Sequence, residues 1–403
     1  MDSGRVLVKR ESNLARPQMP KSGMVIFLSV CHPFILKLLS LAARIRNWYR
    51  DRQPDHGRAE ANRAEFYAEV WQEAATRLGA SVVPLGYDIL EIRSNGTSTR
   101  VQRNTTAIDD PVTLSIAGNK PLVYRLLAHR GLKVPNFFGF TLKEVTQAAA
   151  FIARFGGEWV VKPAHGAGGR GVTTAVITSF DLVRAAVNAA AYESTLVVEQ
   201  QAEGDLYRLL YLDGTLLDAV VRKKPAVVAD GISSVRELIA AENRARLEAG
   251  RKFAQGLVSI DMDMRRTLAK QGLSLSSVPQ KGTVVALKTV INENSAADNL
   301  PGTNLLCSSI IEECAIAARA VGARLAAVDL ITQNPAVPLA QSGGVILEVN
   351  TTPGYHCHYY RQGEGCPAAY HVLSCILRPA RKHGLGGSQE SYVLHCGSLG
   401  TEG

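Results

Sequence analysis

The sequence has few aromatic residues, no cysteine pattern that indicates disulfides and no long uninterrupted apolar run. Aromatic residues account for 6% of the 403 positions, and no basic run is interleaved with them, which gives no support to a nucleic-acid surface. Seven cysteines at irregular spacing form no disulfide framework, which favours a reduced, cytoplasmic setting. The apolar stretch Met24–Leu36 is broken by Ser29, His32 and Pro33, and it is too short to span a membrane.

The remaining composition is typical of a folded protein with two or three subdomains. Hydrophobic residues make up 46% and charged residues 20%, which excludes a disordered chain and a polytopic membrane protein. The length exceeds what one hydrophobic core usually serves. The net charge of +9 is uneven, because residues 1–60 hold eleven basic and five acidic side chains, or +6, which leaves +3 for the other 343 residues. We therefore expect no nucleic-acid partner.

Changes in residue pattern predict an α+β fold in five segments. We expect a flexible leader over 1–23, a helical and α/β region over 24–118, a small subdomain over 119–192, a large subdomain over 193–380 and a tail over 381–403. Asp213-Gly214 between two apolar runs predicts a hairpin. Residues 310–326 are predicted as one helix, and residues 327–332 and 344–350 as strands that follow it.

Residues 33–50 are predicted to form an amphipathic helix. Its apolar positions are Phe34, Leu38, Leu41, Ile45 and Trp48, and its polar positions are Lys37, Ser40, Arg44 and Asn47. We expect the apolar face to pack on the main body of the protein. The alternative is contact between a basic amphipathic helix and a membrane surface.

A glycine-rich segment follows directly after the lysine of a predicted strand. Residues 160–172 read VVKPAHGAGGRGV, with four glycines in six residues after Lys162. Glycines without side chains let backbone N–H groups approach phosphate oxygens, and Lys162 would add a positive charge beside them. The spacing differs from that of a Walker A loop. The segment predicts a polyanion-binding loop, and a tight surface turn is the alternative.

Acidic side chains occur within two apolar strands near the end of the chain. Asp329 lies in AVDLIT, and Glu348 and Asn350 lie on one face of VILEVN. Carboxylates inside apolar strands cost several kcal/mol unless they are paired or bind a metal ion. Oxygen ligands of this kind suit Mg²⁺. The alternative is a pair of edge carboxylates that face water.

Taken in chain order, these landmarks resemble the ATP-grasp superfamily over roughly residues 119–360. They are Lys120 ahead of a helix, Lys162 with its glycine loop, the strand Leu196–Glu199, and Asp329 followed by residues 348–354, EVNTTPG. Two further segments, DGISSVRELI at 230–239 and LSLSSVP at 273–279, resemble the ATP-grasp domain of cyanophycin synthetase and its sister ligases.

The resemblance implies two α+β subdomains that clasp ATP, and a carboxylate–amine ligase that works through an acyl phosphate. It also implies ATP and Mg²⁺ as cofactors, with Mn²⁺ as an alternative ion. The implied nucleotide contacts are Lys120, Lys162, Gly166, Gly168, Gly169, Gly171, Glu199, Gln200 and Ala202. The implied metal ligands are Asp329, Glu348 and Asn350, and the implied catalytic residues are Arg222, Arg208 and Lys288. No general base is implied.

Three departures from the family pattern stand out. The ribose-binding acid of the family falls on Leu206 here, so we expect Asp205, one position away, to replace it. A stretch that is glycine-rich in the family reads Asn294-Ser295-Ala296-Ala297, which bears on substrate recognition. The Mur-ligase-like P-loop of cyanophycin synthetase is missing from residues 1–403, so we expect a stand-alone ligase rather than a polymer-building one.

Histidines and cysteines cluster just after the last acidic strand. His356, Cys357 and His358 are followed by Cys366, His371 and Cys375, residue types that suit zinc at spacings that match no standard structural site. The alternatives are that His356 and His358 line the acceptor pocket, or that the cluster serves packing.

The sequence thus predicts an ATP-dependent ligase that acts on an amino acid or a short peptide and forms a homo-oligomer. The alternative function is a nucleotide-binding regulatory protein without turnover, associated with a membrane through residues 33–50. The joint presence of Lys162, Asp329, Glu348 and Asn350 argues against that alternative, because a site without turnover has no need of all of them.

Overall fold

The structure is a computed structural model that describes residues 32–51, 54–166, 168–252 and 256–378. The predicted leader over 1–23 and tail over 381–403 lie outside the described residues. The helices are α1 Pro33–Asp51, α2 Pro54–Arg77, α3 Pro111–Gly118, α4 Lys120–His129, α5 Val145–Phe155, α6 Ser179–Ala190, α7 Val235–Glu248, α8 Met262–Lys270, α9 Ser308–Val321, α10 Leu339–Ser342, α11 His356–Tyr359 and α12 Ala368–Leu377. The strands are β1 Ser81–Gly86, β2 Ile89–Ser94, β3 Thr97–Gln102, β4 Phe137–Phe140, β5 Trp159–Pro163, β6 Thr173–Val176, β7 Leu196–Gln200, β8 Asp205–Leu212, β9 Thr215–Arg222, β10 Ala226–Val228, β11 Val284–Ala286, β12 Asn299–Pro301, β13 Leu325–Thr332 and β14 Val345–Asn350.

The small subdomain is a four-stranded antiparallel sheet in the order β4-β7-β5-β6. Helices α5 and α6 cover one face with alanine-rich stripes, and their core includes Trp159 and Leu182. Because β7 pairs with both β4 and β5, this subdomain extends to Gln200. The boundary expected at residue 192 therefore falls too early, since it assigns β7 to the next subdomain.

The large subdomain is a five-stranded sheet in the order β12-β9-β8-β13-β14. The predicted hairpin at Asp213-Gly214 joins β8 to β9, and α9 packs on the apolar face. The helix predicted over 310–326 ends earlier, at Val321. Gly322 adopts φ 86° and caps α9 there, because only a residue without a Cβ enters this left-handed turn freely.

Two smaller units complete the fold. A two-stranded sheet of β10 and β11 packs with α7 and α8 around Val235, Met264 and Leu268, and we call this unit, residues 226–292, the lid. The N-terminal unit consists of α2 and the antiparallel sheet β1-β2-β3. Helix α2 packs against α12, and both join the core around Trp71.

Helix α1 forms as predicted, but its orientation differs from the expectation. It packs on α6 through the side that carries Leu36 and Asn47, which are the buried side chains among residues 33–48. The apolar positions named above are all exposed by about half or more. The expectation that the apolar face packs on the body is therefore wrong. Among the described residues, no helix is long and apolar enough to cross a membrane.

We expect Gly204→Ala to lower the free energy of unfolding by about 2–4 kcal/mol. Gly204 joins β7 to β8 at φ 124°, and a Cβ there would lie 2.2 Å from the carbonyl oxygen of Thr332. Gly282→Ala is the matched control, because Gly282 has φ 85° but no atom within 4 Å of the added Cβ. It should cost only the backbone strain, about 1–2 kcal/mol. Equal losses in urea denaturation would contradict the clash.

Candidate active site

A cavity of about 670 Å³ lies where the small subdomain, the large subdomain and the lid meet. Its size and its mixed polar and apolar lining are typical of a small-molecule site. The predicted residues that line it are Lys162, Gly168, Gly169, Glu199, Gln200, Ala202, Arg208, Arg222, Asp329, Glu348 and Asn350. Lys120 and Gly166 line an adjoining cavity that shares Glu348 and Asn350. The fold thus brings most of the predicted site together.

Lys162 projects from β5 into a buried polar cluster. Its Nζ lies 2.8 Å from Oε1 of Glu199 and 3.7 Å from Oε1 of Glu348, and it donates to the Tyr124 hydroxyl at 3.2 Å. The Tyr124 hydroxyl in turn donates to Glu199 at 2.6 Å. Burial alone would lower the pKa of Lys162, but the two carboxylates outweigh burial and raise it. The cation is therefore fixed in place and charged.

Lys120 brings a second ammonium to the same edge from the start of α4. Asn119 caps the helix by accepting from the backbone N–H of Leu122. Nζ of Lys120 donates to the carbonyl of Gly166 at 2.8 Å and lies 3.6 Å from Glu348. The lysine thus links the glycine loop to the acidic strand.

Three neighbouring strands place a row of charges across the floor of the cavity. Asp329 on β13 lies opposite Arg208 on β8 and opposite Glu348 on β14. Arg208 donates to both oxygens of Asp329, at 2.7 and 2.6 Å, and the amide of Asn350 donates to Asp329 at 3.3 Å. A bulge in the β13–β14 pairing lies directly beside Asp329, and such bulges re-aim side chains near active sites.

The donor set of this row fits a hard divalent cation. Asp329, Glu348 and Asn350 offer carboxylate and amide oxygens at one place, which is the chemistry that Mg²⁺ prefers. Burial would raise the pKa of Glu348, but Lys120, Lys162 and Arg208 outweigh it and hold the pKa below its usual value. Glu348 is therefore ionised at neutral pH and able to act as a ligand.

Arg222 lies at the end of β9, and part of its hydrogen-bonding capacity is unused. Its side chain is buried, its Nη2 donates to Oδ1 of Asn294 at 2.9 Å, and its Nε has no partner among the described residues. Burial, with the charge of Arg208, lowers the pKa of Arg222 to about 10. Asn294, the residue that departs from the family's glycine-rich stretch, therefore positions this arginine.

The glycine loop contacts the lid at its tip. The side-chain amide of Asn292 donates to the carbonyl of Gly168, and a Cβ on Gly169 would lie 2.7 Å from Val290. Gly169 has φ 67°, a left-handed conformation that favours glycine. The loop sequence is thus required both for backbone shape and for closure against the lid.

Three predicted site residues lie outside these cavities. The carboxylate of Asp205 lies 2.7 Å from Nζ of Lys223, on the face of β8 opposite to Leu206 and Arg208, because successive strand residues alternate. Lys288 is buried and bound to Ser259, Asp261 and Glu293, all at 2.7–2.8 Å, so it holds the lid together. Gly171 packs against Tyr192 and Pro163. The predicted site roles of these residues do not fit this geometry.

The histidine and cysteine cluster divides between the cavity and the core. His356 and Cys357 line the cavity, whereas His358 is buried with Nδ1 2.8 Å from Asp218. Within the described part of the chain, no group of three His, Cys, Asp or Glu side chains is placed to hold a metal ion. A zinc site is therefore not supported among these residues. His356 lines the pocket, as one alternative predicts, whereas His358 does not.

Sequence reasoning missed a contribution from the N-terminal unit. Arg63 and Tyr67 on α2, and Asn104 after β3, line the same cavity as the strands. The hydroxyl of Tyr67 accepts from the backbone N–H of Tyr355 at 3.3 Å, and the amide of Asn104 donates to the carbonyl of Thr352. These residues lie far from the motifs along the chain, and only tertiary packing brings them to the site.

We expect the thiol of Cys357 to react with iodoacetamide with a midpoint near pH 6. Burial raises the pKa of this thiol, but His358, Arg222 and Arg208 outweigh burial and lower it to about 6. The thiolate is the nucleophile, so the alkylation rate should rise from pH 5 to 7 and then level off.

Mass spectrometry of the modified peptide measures this rate. Cys314 is the internal control, because its pKa is raised by burial and it should stay unmodified. MgATP should slow the reaction of Cys357, whose side chain lines the cavity. A midpoint above pH 8 would contradict the assigned environment.

Comparison with known proteins agrees with this geometry. Over 297 residues the chain is 30% identical to cyanophycin synthetase from Trichormus variabilis, which covers 72% of this chain and 31% of that protein. Over 265 residues it is 30% identical to the glutathione biosynthesis bifunctional protein of Mannheimia succiniciproducens, covering 64% of this chain and 35% of that protein. The chain thus spans about a third of the length of the curated relatives it matches.

A solved structure shows the same fold. The crystal structure of a bifunctional glutathione synthetase from Pasteurella multocida matches with a TM-score of 0.50 at 24% identity, covering 76% of this chain and 43% of that chain. A scan against models of protein families finds no match.

Proposed function

The chain belongs to the ATP-grasp superfamily, and from this premise we propose that it joins a carboxylate to an amine at the expense of ATP. The observation that carries the proposal is the row Arg208–Asp329–Glu348. It lines one cavity with Lys162, and Glu348 also lies 3.6 Å from Lys120 in the adjoining cavity. Phosphoryl transfer needs positioning and charge neutralisation more than covalent help from the protein, and this row supplies both.

In the proposed reaction a substrate carboxylate oxygen attacks the γ-phosphorus of ATP, and ADP leaves. The amine then attacks the carbonyl carbon of the acyl phosphate, loses a proton and expels phosphate, which forms the amide. Lys120 and Lys162 would hold the phosphates of ATP, with the backbone of Gly168 and Gly169 above them. Arg222 would place its unpartnered Nε against the group in transfer.

Asp329, Glu348 and Asn350 would hold Mg²⁺, which would neutralise phosphate charge when bound. The hinge residues Glu199, Gln200 and Ala202 line the cavity beside β7 and would contact the adenine. Glu203 also lines the cavity, whereas Asp205 does not. We therefore assign the ribose contact to Glu203 in place of Asp205.

The far end of the cavity is basic, which favours substrates that carry carboxylates. Arg63, Arg222 and His356 line this end. Burial and the two arginines lower the pKa of His356 to about 3, so its imidazole is neutral at pH 7. Arg63, half-buried on α2, is the side chain we assign to a substrate carboxylate. An amino acid or short peptide fits this charge pattern, and its identity and the homo-oligomeric state stay predictions.

The test is ADP and phosphate formation from MgATP in the presence of pairs of amino acids or dipeptides. Product mass should equal the sum of acid and amine less one water. Release that requires both partners supports the proposal. Tight MgATP binding without release in any pair would favour the regulatory alternative.

Asn104→Ala changes the part of the cavity lining that the N-terminal unit supplies. It should raise the KM for the acid or amine and leave the KM for ATP unchanged. An equal rise in both values would contradict the assignment of that part of the lining to the substrate.

A further inference from the structure

Helix α1 presents a broad apolar face to the outside of the protein. Seven large apolar side chains, Phe34, Ile35, Leu38, Leu39, Leu41, Ile45 and Trp48, are each between 43% and 64% exposed. Isolated exposed apolar residues are common, but a contiguous group of this kind marks an interaction surface. The helix is held in this orientation by its other side, where Leu36 is fully buried against the small subdomain.

Basic side chains border this face. At 100° per residue, Lys37 and Arg44 lie just beyond one edge of the apolar face, and Arg46 lies near the other edge, between Ile35 and Leu39. All three basic side chains are exposed. Arg44 also anchors the helix, because its Nε donates to the carbonyl of Ala191 at 3.2 Å. The one acidic residue of α1 is Asp51, at its end. An apolar face with a cationic border matches the interface of an anionic bilayer.

The sequence that precedes the helix strengthens this match. It includes the apolar segment Met24–Val30, and residues 1–31 carry five basic and two acidic side chains, a net charge of +3. A second copy of the chain fits less well, since its α1 would bring the same cationic border against the first.

We propose that α1 docks the protein on an anionic membrane surface, with the Phe34–Trp48 face in the interfacial region and Lys37, Arg44 and Arg46 at the headgroups. This inference is independent of the proposed ligase reaction, because α1 contributes no residue to either cavity.

Tryptophan fluorescence tests the proposal with little background. The chain has three tryptophans, of which Trp71 and Trp159 are at most 1% exposed and Trp48 is 49% exposed. With the full chain and vesicles of phosphatidylcholine and phosphatidylglycerol, we expect a blue shift of the emission. Lipids brominated in the acyl chains should quench it, and Trp48→Phe should remove both effects.

Flotation with the same vesicles gives the second measurement. The variant Leu38→Ser, Leu41→Ser, Ile45→Ser should lower vesicle binding by at least about tenfold, because it removes apolar surface without changing charge. The matched control changes exposed apolar residues of the lid, Val228→Ser, Ile232→Ser and Val284→Ser, and should bind like the wild type. Vesicles of phosphatidylcholine alone should bind the wild type more weakly.

Several results would overturn the proposal. One is no vesicle binding by the wild type. Another is a triple variant that still binds, which would assign the contact to residues outside α1. A third is Trp48 emission that is already blue-shifted and shielded from acrylamide without lipid. That would show that another part of the chain, or a second copy, covers this face. The circular dichroism spectrum and thermal unfolding of each variant confirm that it is folded.

Discussion

Glu348→Gln is expected to lower kcat/KM of the proposed ligase by about 10²–10³-fold, while the protein stays folded. Glu348 balances the charges of Lys120 and Lys162 at 3.6 and 3.7 Å and is assigned to Mg²⁺. The neutral glutamine keeps the size of the side chain but loses the charge. Half-saturation by Mg²⁺ should therefore move to at least about tenfold higher concentration, measured as phosphate release against magnesium concentration.

The same substitution should weaken nucleotide binding only when magnesium is present. Without the metal ion, the variant offers two lysines with less counter-charge, so ADP alone should bind as tightly as to the wild type or more tightly. Glu312→Gln is the matched control, because Glu312 is 64% exposed and pairs with the surface residue Arg319. Full activity of Glu348→Gln with an unchanged magnesium requirement would contradict the assignment.

Arg222→Met is expected to slow turnover strongly and to leave the protein as stable as the wild type or more stable. Its lowered pKa, about 10, reflects burial and the nearby charge of Arg208, so the cation destabilises the folded state. Removal of that charge should raise the free energy of unfolding by about 1–3 kcal/mol, offset in part by the lost hydrogen bond to Asn294. The kcat should fall by about 10²–10³-fold, with the Kd for MgATP unchanged.

Arg208→Met provides the contrast. For Arg208, pairing with a carboxylate outweighs the cost of burial, whereas for Arg222 the cost of burial is the larger effect. Arg208 binds both oxygens of the buried Asp329, and the carboxylate raises the pKa of Arg208 despite its burial. The loss of one partner of such a pair costs about 3–5 kcal/mol. Arg222→Met should therefore have the higher melting temperature of the two variants. The reverse order would show that the charge balance is misassigned.

Strand periodicity and residue type predict the acidic part of the charged floor, whereas Arg208 follows only from the resemblance to the ATP-grasp superfamily. Glu348 and Asn350 lie two positions apart on one strand, and a carboxylate between apolar neighbours requires a partner wherever the strand is buried. The same rule explains the misfit of Asp205, because a shift of one residue along β8 moves a side chain to the other face. The same alternation therefore predicts that Asp205 lies on the face of β8 that does not carry Leu206 and Arg208.

Other parts of the site depend on contacts between distant segments. Lys288 binds Ser259, Asp261 and Glu293, and no local sequence pattern predicts these contacts. Arg63 reaches the cavity because α2 packs beside the turn after β14. The orientation of α1 is also a tertiary result: hydrophobic periodicity predicts the faces of a helix, but not which face its neighbours cover.

The most direct test of the acyl-phosphate reaction is transfer of ¹⁸O from a labelled substrate carboxylate to phosphate, measured by mass spectrometry in ordinary water. The proposed reaction predicts one ¹⁸O atom in each phosphate released, because the carboxylate oxygen that attacks the γ-phosphorus leaves with it. Phosphate without the label would show that water, not a carboxylate, accepts the phosphoryl group. That result would contradict the ligase proposal.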